Sequence, residues 1–216
     1  MRRVIPAAVL VLLLASCRGE SVDAEQPQAA AKPNVAAAAA PQQQSGAASS
    51  AQLLSVTVEG ADVTIAFLEN GAEHELYGES RDSGKRKYTL DEGPVLYEIK
   101  PGDDQGFKLR NPDGSLRWKV KVYPDKVKIS DNEQNERPYE LKVREGNRVK
   151  VFAPGDRELG NVRYGSEKIE VETAGGRVIF TLQSAKPAGA YGVLLLDAIP
   201  ERERYILVAE LLSRGR

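Results

Sequence analysis

Hydrophobic and polar residues alternate along short runs of this chain from Leu53 onward. Successive side chains of a β-strand point to opposite faces of its sheet, so each alternating run predicts a half-buried strand. Val149 and Val151 form one such run, and Phe107 and Leu109 form another. Turn-forming segments such as Asn111-Pro112-Asp113-Gly114 separate the runs, which favours short antiparallel connections.

The alternating runs also repeat. Similar units begin at Phe107, Val127, Val149 and Ile169, a step of 20 to 22 residues, and each contains two runs and a turn. Weaker copies lie upstream, in residues 65–77 and 88–99. Residues 53–185 therefore predict about six hairpins, or about twelve antiparallel strands, that bury one another's faces because a lone hairpin is marginal in water.

The period changes in residues 186–216. An apolar stretch is centred on Val193-Leu194-Leu195-Leu196, and Pro200 then precedes the acidic residues Glu201 and Glu203. Proline at a helix start, acids in the first turn and a late glycine, Gly215, are typical helix boundaries. This segment predicts one or two helices packing on or in the β region, although the apolar stretch alone also fits a buried strand.

The amino-terminal residues resemble a bacterial lipoprotein signal. Two arginines precede a short apolar run that ends in Leu14-Ala15-Ser16-Cys17, which is similar to the lipobox of that family. The resemblance implies cleavage of residues 1–16 and lipidation of Cys17, and more than one acyl chain gives stable anchoring. The alternative is an ordinary signal peptide with a chance cysteine. Residues 17–52, rich in Ala, Gln and Pro, predict a disordered linker.

The predicted architecture resembles the tubby-like superfamily, which includes scramblase-like domains, over residues 53–216. That family's strands form a closed barrel around a hydrophobic helix, so the resemblance implies a closed or nearly closed barrel here. Such a barrel is too wide for its own side chains to fill and needs an internal helix. An open meander capped by helices, or a stacked hairpin solenoid, fits the same sequence.

Composition excludes several classes of site. The formal net charge of −1 does not favour nucleic acid as a partner. Cys17 is the only cysteine and His74 the only histidine, so an intrachain disulfide and most thiol or imidazole metal sites are excluded. We expect no cofactor, no metal and no enzymatic activity.

Basic residues are concentrated on the polar positions of the central runs. Twelve Lys and Arg stand against seven acids in residues 107–151, and adjacent strands would place many of them on one face. Such a face could bind phosphate groups of lipids, as basic residues of tubby-like domains do. Alternatively, these residues only keep the strand surface soluble. The candidate anion-binding residues are Lys119, Lys121, Lys126, Lys128, Lys142, Arg144, Arg148 and Lys150.

Other polar residues have simpler interpretations. His74 lies between two glutamates at the start of a predicted strand and is interpreted as a surface residue. Asp103-Asp104 is interpreted as part of a hairpin loop. Glu201-Arg202-Glu203-Arg204 predicts a solvated helix face with pairs within the helix.

These features predict a lipid-anchored protein of the bacterial cell envelope. Position 18, directly after Cys17, holds arginine rather than the aspartate that retains many Gram-negative lipoproteins in the inner membrane. The lipoprotein resemblance therefore favours the outer membrane facing the periplasm. The leading hypothesis is a non-enzymatic scaffold or binding module, with the membrane and an envelope protein as partners. The alternative hypothesis is a tubby-like barrel that binds anionic lipid headgroups through its basic strand face.

Overall fold

The computed structural model describes residues 54–184 and 188–216. The predicted signal peptide, lipidated Cys17 and linker lie outside the described residues. The strands are β1 (Leu54–Glu59), β2 (Asp62–Glu69), β3 (Ala72–Ser80), β4 (Arg86–Leu90), β5 (Val95–Pro101), β6 (Phe107–Arg110), β7 (Leu116–Val122), β8 (Lys126–Ser130), β9 (Tyr139–Arg144), β10 (Arg148–Ala153), β11 (Arg157–Tyr164), β12 (Lys168–Thr173) and β13 (Val178–Gln183).

Every strand pairs antiparallel with the next one along the chain, which makes one meander of thirteen strands in the described residues. The predicted mainly β fold class is confirmed, and β1 is the strand beyond the six predicted hairpins. Closure is not observed, because no hydrogen-bonded ladder joins β1 to β13 within the described residues. The helical segments that follow β13 cover the inner face of the sheet, so its apolar side chains are buried without closure.

Alternation along the strands decides which side chains reach the interior. In β10, Val149, Val151 and Ala153 are buried while the residues between them are only partly buried. The same alternation in β6 buries Phe107 and Leu109. The sheet therefore has an apolar inner face and a polar outer face, as the period of two predicts.

Three helical segments accompany the strands within residues 54–184 and 188–216: 3₁₀ turns at Asp82–Gly84 and Gly189–Leu195, and one α-helix, α1 (Glu201–Ser213). The predicted carboxy-terminal helix is confirmed, and Pro200 directly precedes its first residue as expected. The Gly189–Leu195 segment packs against β9 to β12. Gly192 permits this contact, because a Cβ there would lie 2.8 Å from a Val151 methyl carbon.

Helix α1 forms the centre of the core. Five consecutive side chains, from Tyr205 to Ala209, are completely buried. An α-helix turns once in 3.6 residues, so five consecutive residues point in every direction around its axis. The sheet and the Gly189–Leu195 segment together therefore enclose this helix on every side.

The predicted solvated face at the start of α1 is wrong. Glu203 is only 2% exposed, and Glu210, two turns later on the helix, is fully buried. Buried charges need partners. The alternating charges resemble a surface helix in the sequence, but the sheet provides arginine, tyrosine and tryptophan partners that allow the carboxylates to be buried.

Candidate functional site

Rows of like charge run across the outer face of the central strands. The strand register places Lys100, Lys108 and Lys119 directly opposite one another on β5, β6 and β7. Lys121 lies opposite Lys128 on β7 and β8. Two further rows cross β8 to β11, and their members are Lys126, Lys142 and Lys150, and then Arg144, Arg148 and Arg163. We call these four sets the cationic rows.

Like charges placed directly opposite each other destabilise a sheet. Acidic side chains from neighbouring positions offset part of this repulsion. The Glu140 carboxylate lies 2.6 Å from Lys142 Nζ and 3.2 Å from Lys128 Nζ. Partial burial acts to raise the pKa of Glu140, but hydrogen bonds from these two lysines hold it below its usual value. Lys150 pairs with Glu158 at 2.7 Å.

Compensation is incomplete along the rows. Lys126 lies over the ring of Tyr123, with Nζ 5.7 Å from the ring centroid. Within residues 54–184 and 188–216, Lys121, Arg144 and Arg148 form no ion pair within 4.0 Å. The structure thus brings the eight sequence-predicted basic residues to one face of adjacent strands, some paired and some available to an external anion.

A groove of about 470 Å³ lies at the β5–β7 end of the cationic rows. Its lining includes Lys100, Lys108, Arg110, Lys119 and Lys121, together with the hairpin-loop residues 102–104. Lys100, Lys108 and Arg110 were not among the predicted site residues. The pairing of β5 with β6 and of β6 with β7 brings these three residues beside Lys119. They could have been identified from the sequence by aligning the two strands of each predicted hairpin residue by residue.

One carboxylate holds three of these cations. Glu133, in the loop between β8 and β9, lies 2.6 Å from Lys108 Nζ and 2.7 Å from an Arg110 terminal nitrogen. Lys119 Nζ is 3.8 Å from the same carboxylate and donates a hydrogen bond to the Glu133 backbone carbonyl. The hydrogen bond from Lys108, with a second from Arg110, lowers the pKa of Glu133. We call Lys108, Arg110 and Lys119 the cation nest.

The interior holds a second set of charges that sequence reasoning missed. Glu203 accepts hydrogen bonds from Arg117 at 2.7 Å and from the Trp118 indole nitrogen at 2.5 Å, both on β7. The Tyr97 hydroxyl donates to the same carboxylate at 3.3 Å. Burial, together with the negative charge of Glu203, raises the pKa of Tyr97.

Glu210 has a similar set of partners. The Tyr88 hydroxyl donates to its carboxylate at 2.8 Å, and Arg86 on β4 and Arg214 at the helix end form ion pairs with it. Burial and the neighbouring carboxylate raise the pKa of Tyr88 well above its ordinary value. These interior contacts join α1 to strands far away in sequence and hold the helix in place.

The remaining candidates, His74 and Asp103-Asp104, lie in local polar contacts. His74 Nδ1 lies 2.7 Å from an Asp91 carboxylate oxygen. The Asp103-Asp104 segment forms a turn in which Gly106 N donates to the Asp103 carbonyl at 2.8 Å. No cluster of metal-ligating side chains occurs in the part of the chain that the structure describes. No helix among these residues has the length and hydropathy to cross a membrane.

Comparison of the chain with protein-family models, with curated proteins and with solved structures found no match.

Proposed function

We propose that this chain is a membrane-anchored lipoprotein that acts as a non-enzymatic scaffold or binding module in the periplasm. The sequence Leu14-Ala15-Ser16-Cys17 supports the anchor, because it closes a short apolar run at the position where a lipoprotein signal is cut. The fold supports a binding role for the outer surface, because α1 already fills the interior of the sheet. Ligands would therefore meet the polar outer face.

Mass spectrometry of the full chain expressed in a bacterium tests the anchor. The expected mature protein begins at Cys17 and carries a diacylglyceryl group on its sulfur. The variant Cys17→Ser should lack this added mass. A mature chain with an unmodified Cys17, or one that retains residues 1–16, would overturn the proposed anchor.

A second candidate function is the binding of anionic lipid headgroups. The observation that favours it is the set of cationic rows, because like charges directly opposite one another cost stability and a purely solubilising surface does not require them. A basic residue close to an anionic membrane surface contributes about 1 kcal/mol. The tubby-like resemblance supports the same candidate and also remains a proposal.

Vesicle co-sedimentation tests this candidate with the chain from residue 17 onward carrying Cys17→Ser, so that acyl chains do not mask the result. We expect binding to phosphatidylcholine vesicles that contain phosphatidic acid and weaker binding to phosphatidylcholine alone. The triple variant Lys121→Glu, Lys126→Glu and Arg144→Glu should lose about a hundredfold in affinity. These residues make no ion pair in the described part of the chain, so the fold should persist.

The matched control reverses the same number of charges elsewhere, at Lys85, Arg157 and Arg177, which are exposed and lie outside the rows. The control should retain most of the binding. Equal losses in the two triple variants would show a general charge effect and exclude a specific face. Unchanged binding in the row variant would exclude the lipid-binding function.

A further inference from the structure

The cation nest has more donors than its carboxylate can satisfy. Glu133 offers two oxygens, and Lys108 and Arg110 each lie within 2.7 Å of one of them. Lys119 Nζ remains 3.8 Å away, beyond hydrogen-bond distance of the carboxylate. The buried Arg110 Nε has no hydrogen-bond partner in the described part of the chain. Lys119 Nζ is instead bonded to the Glu133 backbone carbonyl, so Arg110 Nε is the donor of the nest without a partner in the described part of the chain.

Charge is also unbalanced at this place. Three cationic side chains share the Glu133 carboxylate, and Lys100 lies directly opposite Lys108 on the neighbouring strand. Glu98, opposite Arg110, is paired with Lys87. Asp103 and Asp104 also line the groove, but neither lies within 4.0 Å of these cations in the described part of the chain. A phosphate group carries up to two negative charges and three or four oxygens in a tetrahedral arrangement, so it can serve more of these donors than a carboxylate can. Arginine and lysine are the side chains that proteins use to hold phosphate.

Glu133 is in a position to leave. Its side chain is 42% exposed, and exposed ion pairs are weak because water screens them. The loop that carries it is held by other contacts: the Asn132 side chain accepts from Glu136 N at 2.8 Å, and Ser130 Oγ donates to Asn135 Oδ1 at 2.7 Å. The Glu133 carboxylate can therefore swing out while the loop remains in place.

We propose that Lys108, Arg110 and Lys119 form a binding site for one phosphate group, and that the Glu133 carboxylate occupies this site until a phosphate displaces it. The proposal rests on the second candidate function, because it names one site and its regulation within the cationic outer face. The phosphate can belong to a lipid headgroup or to a free phosphate compound, since the nest recognises the oxygens alone.

The variant Glu133→Gln tests the displacement in the chain from residue 17 onward with Cys17→Ser. Removing the competing charge should tighten the binding of inorganic phosphate about tenfold, measured by calorimetric titration. Glu136→Gln is the matched control, because it makes the same charge change in the same loop and Glu136 forms no carboxylate ion pair among the described residues. The proposal is overturned if Glu133→Gln gains affinity neither for inorganic phosphate nor for phosphatidic acid vesicles, or if both variants gain equally.

A double variant tests the cations of the nest directly, without changing the loop that carries Glu133. Lys108→Gln with Lys119→Gln should abolish phosphate binding and should also remove the gain produced by Glu133→Gln. A gain that persists without these lysines would overturn the nest. Thermal unfolding of each variant checks that it remains folded.

Vesicles distinguish the source of the phosphate. A gain of Glu133→Gln on phosphatidic acid vesicles but not with inorganic phosphate supports a lipid headgroup as the ligand, and a gain with both supports recognition of any phosphate group. The outcome for Glu133→Gln can be distinguished from the outcome for the triple variant of the cationic rows. Lipid binding that depends on Lys121, Lys126 and Arg144 but not on Glu133 would retain the proposed function and overturn this inference.

Discussion

The interior of the sheet and its outer face both pair glutamates with basic side chains, but the two environments differ. Glu203 and Glu210 are side chains of α1 that are buried beneath the sheet, where tyrosine or tryptophan donates hydrogen bonds to them in addition to arginine. Glu133 and Glu140 lie on the outer face among lysines, and their side chains are 42% and 16% exposed. The comparison separates charges that hold the fold together from charges that are able to exchange partners.

The physical reason is the cost of leaving a charge alone. Removing one member of a buried pair leaves its partner as an unpaired charge in a low-dielectric site, which costs about 3–5 kcal/mol. An exposed pair contributes about 0–1 kcal/mol because either member returns to water. The same type of contact therefore predicts opposite outcomes in the two regions.

The largest effect is expected for Glu210→Ala. This change leaves Arg86 and the buried Tyr88 hydroxyl without their acceptor, and the free energy of unfolding should fall by about 3–5 kcal/mol. Urea denaturation followed by circular dichroism measures it. A loss below about 1 kcal/mol would contradict the interior role of this carboxylate.

A smaller loss is expected for Glu203→Ala, about 2 kcal/mol in the free energy of unfolding. Its partner Arg117 is 37% exposed and can return to water when the carboxylate is removed. Trp118 is the only tryptophan of the chain and donates to Glu203, so its fluorescence should shift in the folded variant. A loss as large as that of Glu210→Ala, or an unchanged emission spectrum, would contradict this ranking.

Acid should weaken the contacts of the outer face. The folded pKa of Glu133 and of Glu140 lies below the ordinary glutamate value of 4.5, so their contribution is complete above that pH. It is lost as the pH falls through the lower folded value. Stability measured by urea denaturation should therefore decline below about pH 4.5, and the decline should be shallower in Glu140→Gln. An identical pH profile in the variant would exclude Glu140 as a contributor.

The smallest effect on stability is expected for Glu133→Gln. Because this carboxylate is well exposed, the free energy of unfolding should change by less than about 1 kcal/mol. Thermal unfolding beside Glu136→Gln measures the change. A loss comparable with that of Glu203→Ala would place Glu133 with the structural charges and contradict its exchangeable role.

Local sequence patterns predicted those features of the fold that depend on residues close together in the chain. Alternation identified the strands, and Pro200 with the acids after it marked the start of α1. The burial of Glu203 could not be predicted in this way, because its partner Trp118 is 85 residues away and is placed by the sheet. The cation nest depends on the register of β5, β6 and β7 and on a loop that returns Glu133 to them.

Whether the sheet closes into a barrel could not be predicted from the sequence, for a related reason. Alternation specifies that each strand has one apolar face, but it does not specify whether the first and last strands meet. That outcome depends on how much of the inner face the helical segments cover. Segment Gly189–Leu195 contacts β9 to β12, and α1 contacts β1 and β2, so burial is achieved while the sheet stays open.

The position of α1 has a consequence for how the protein is made. Arg202 in α1 contacts Glu69 in β2, which precedes it by 133 residues. Synthesis begins at the amino end of the chain. The apolar inner face of the strands is therefore exposed until residues 201–213, which cover it, have been made. Such a nascent chain is prone to aggregate until synthesis is complete, so we expect it to need a chaperone that covers this apolar surface.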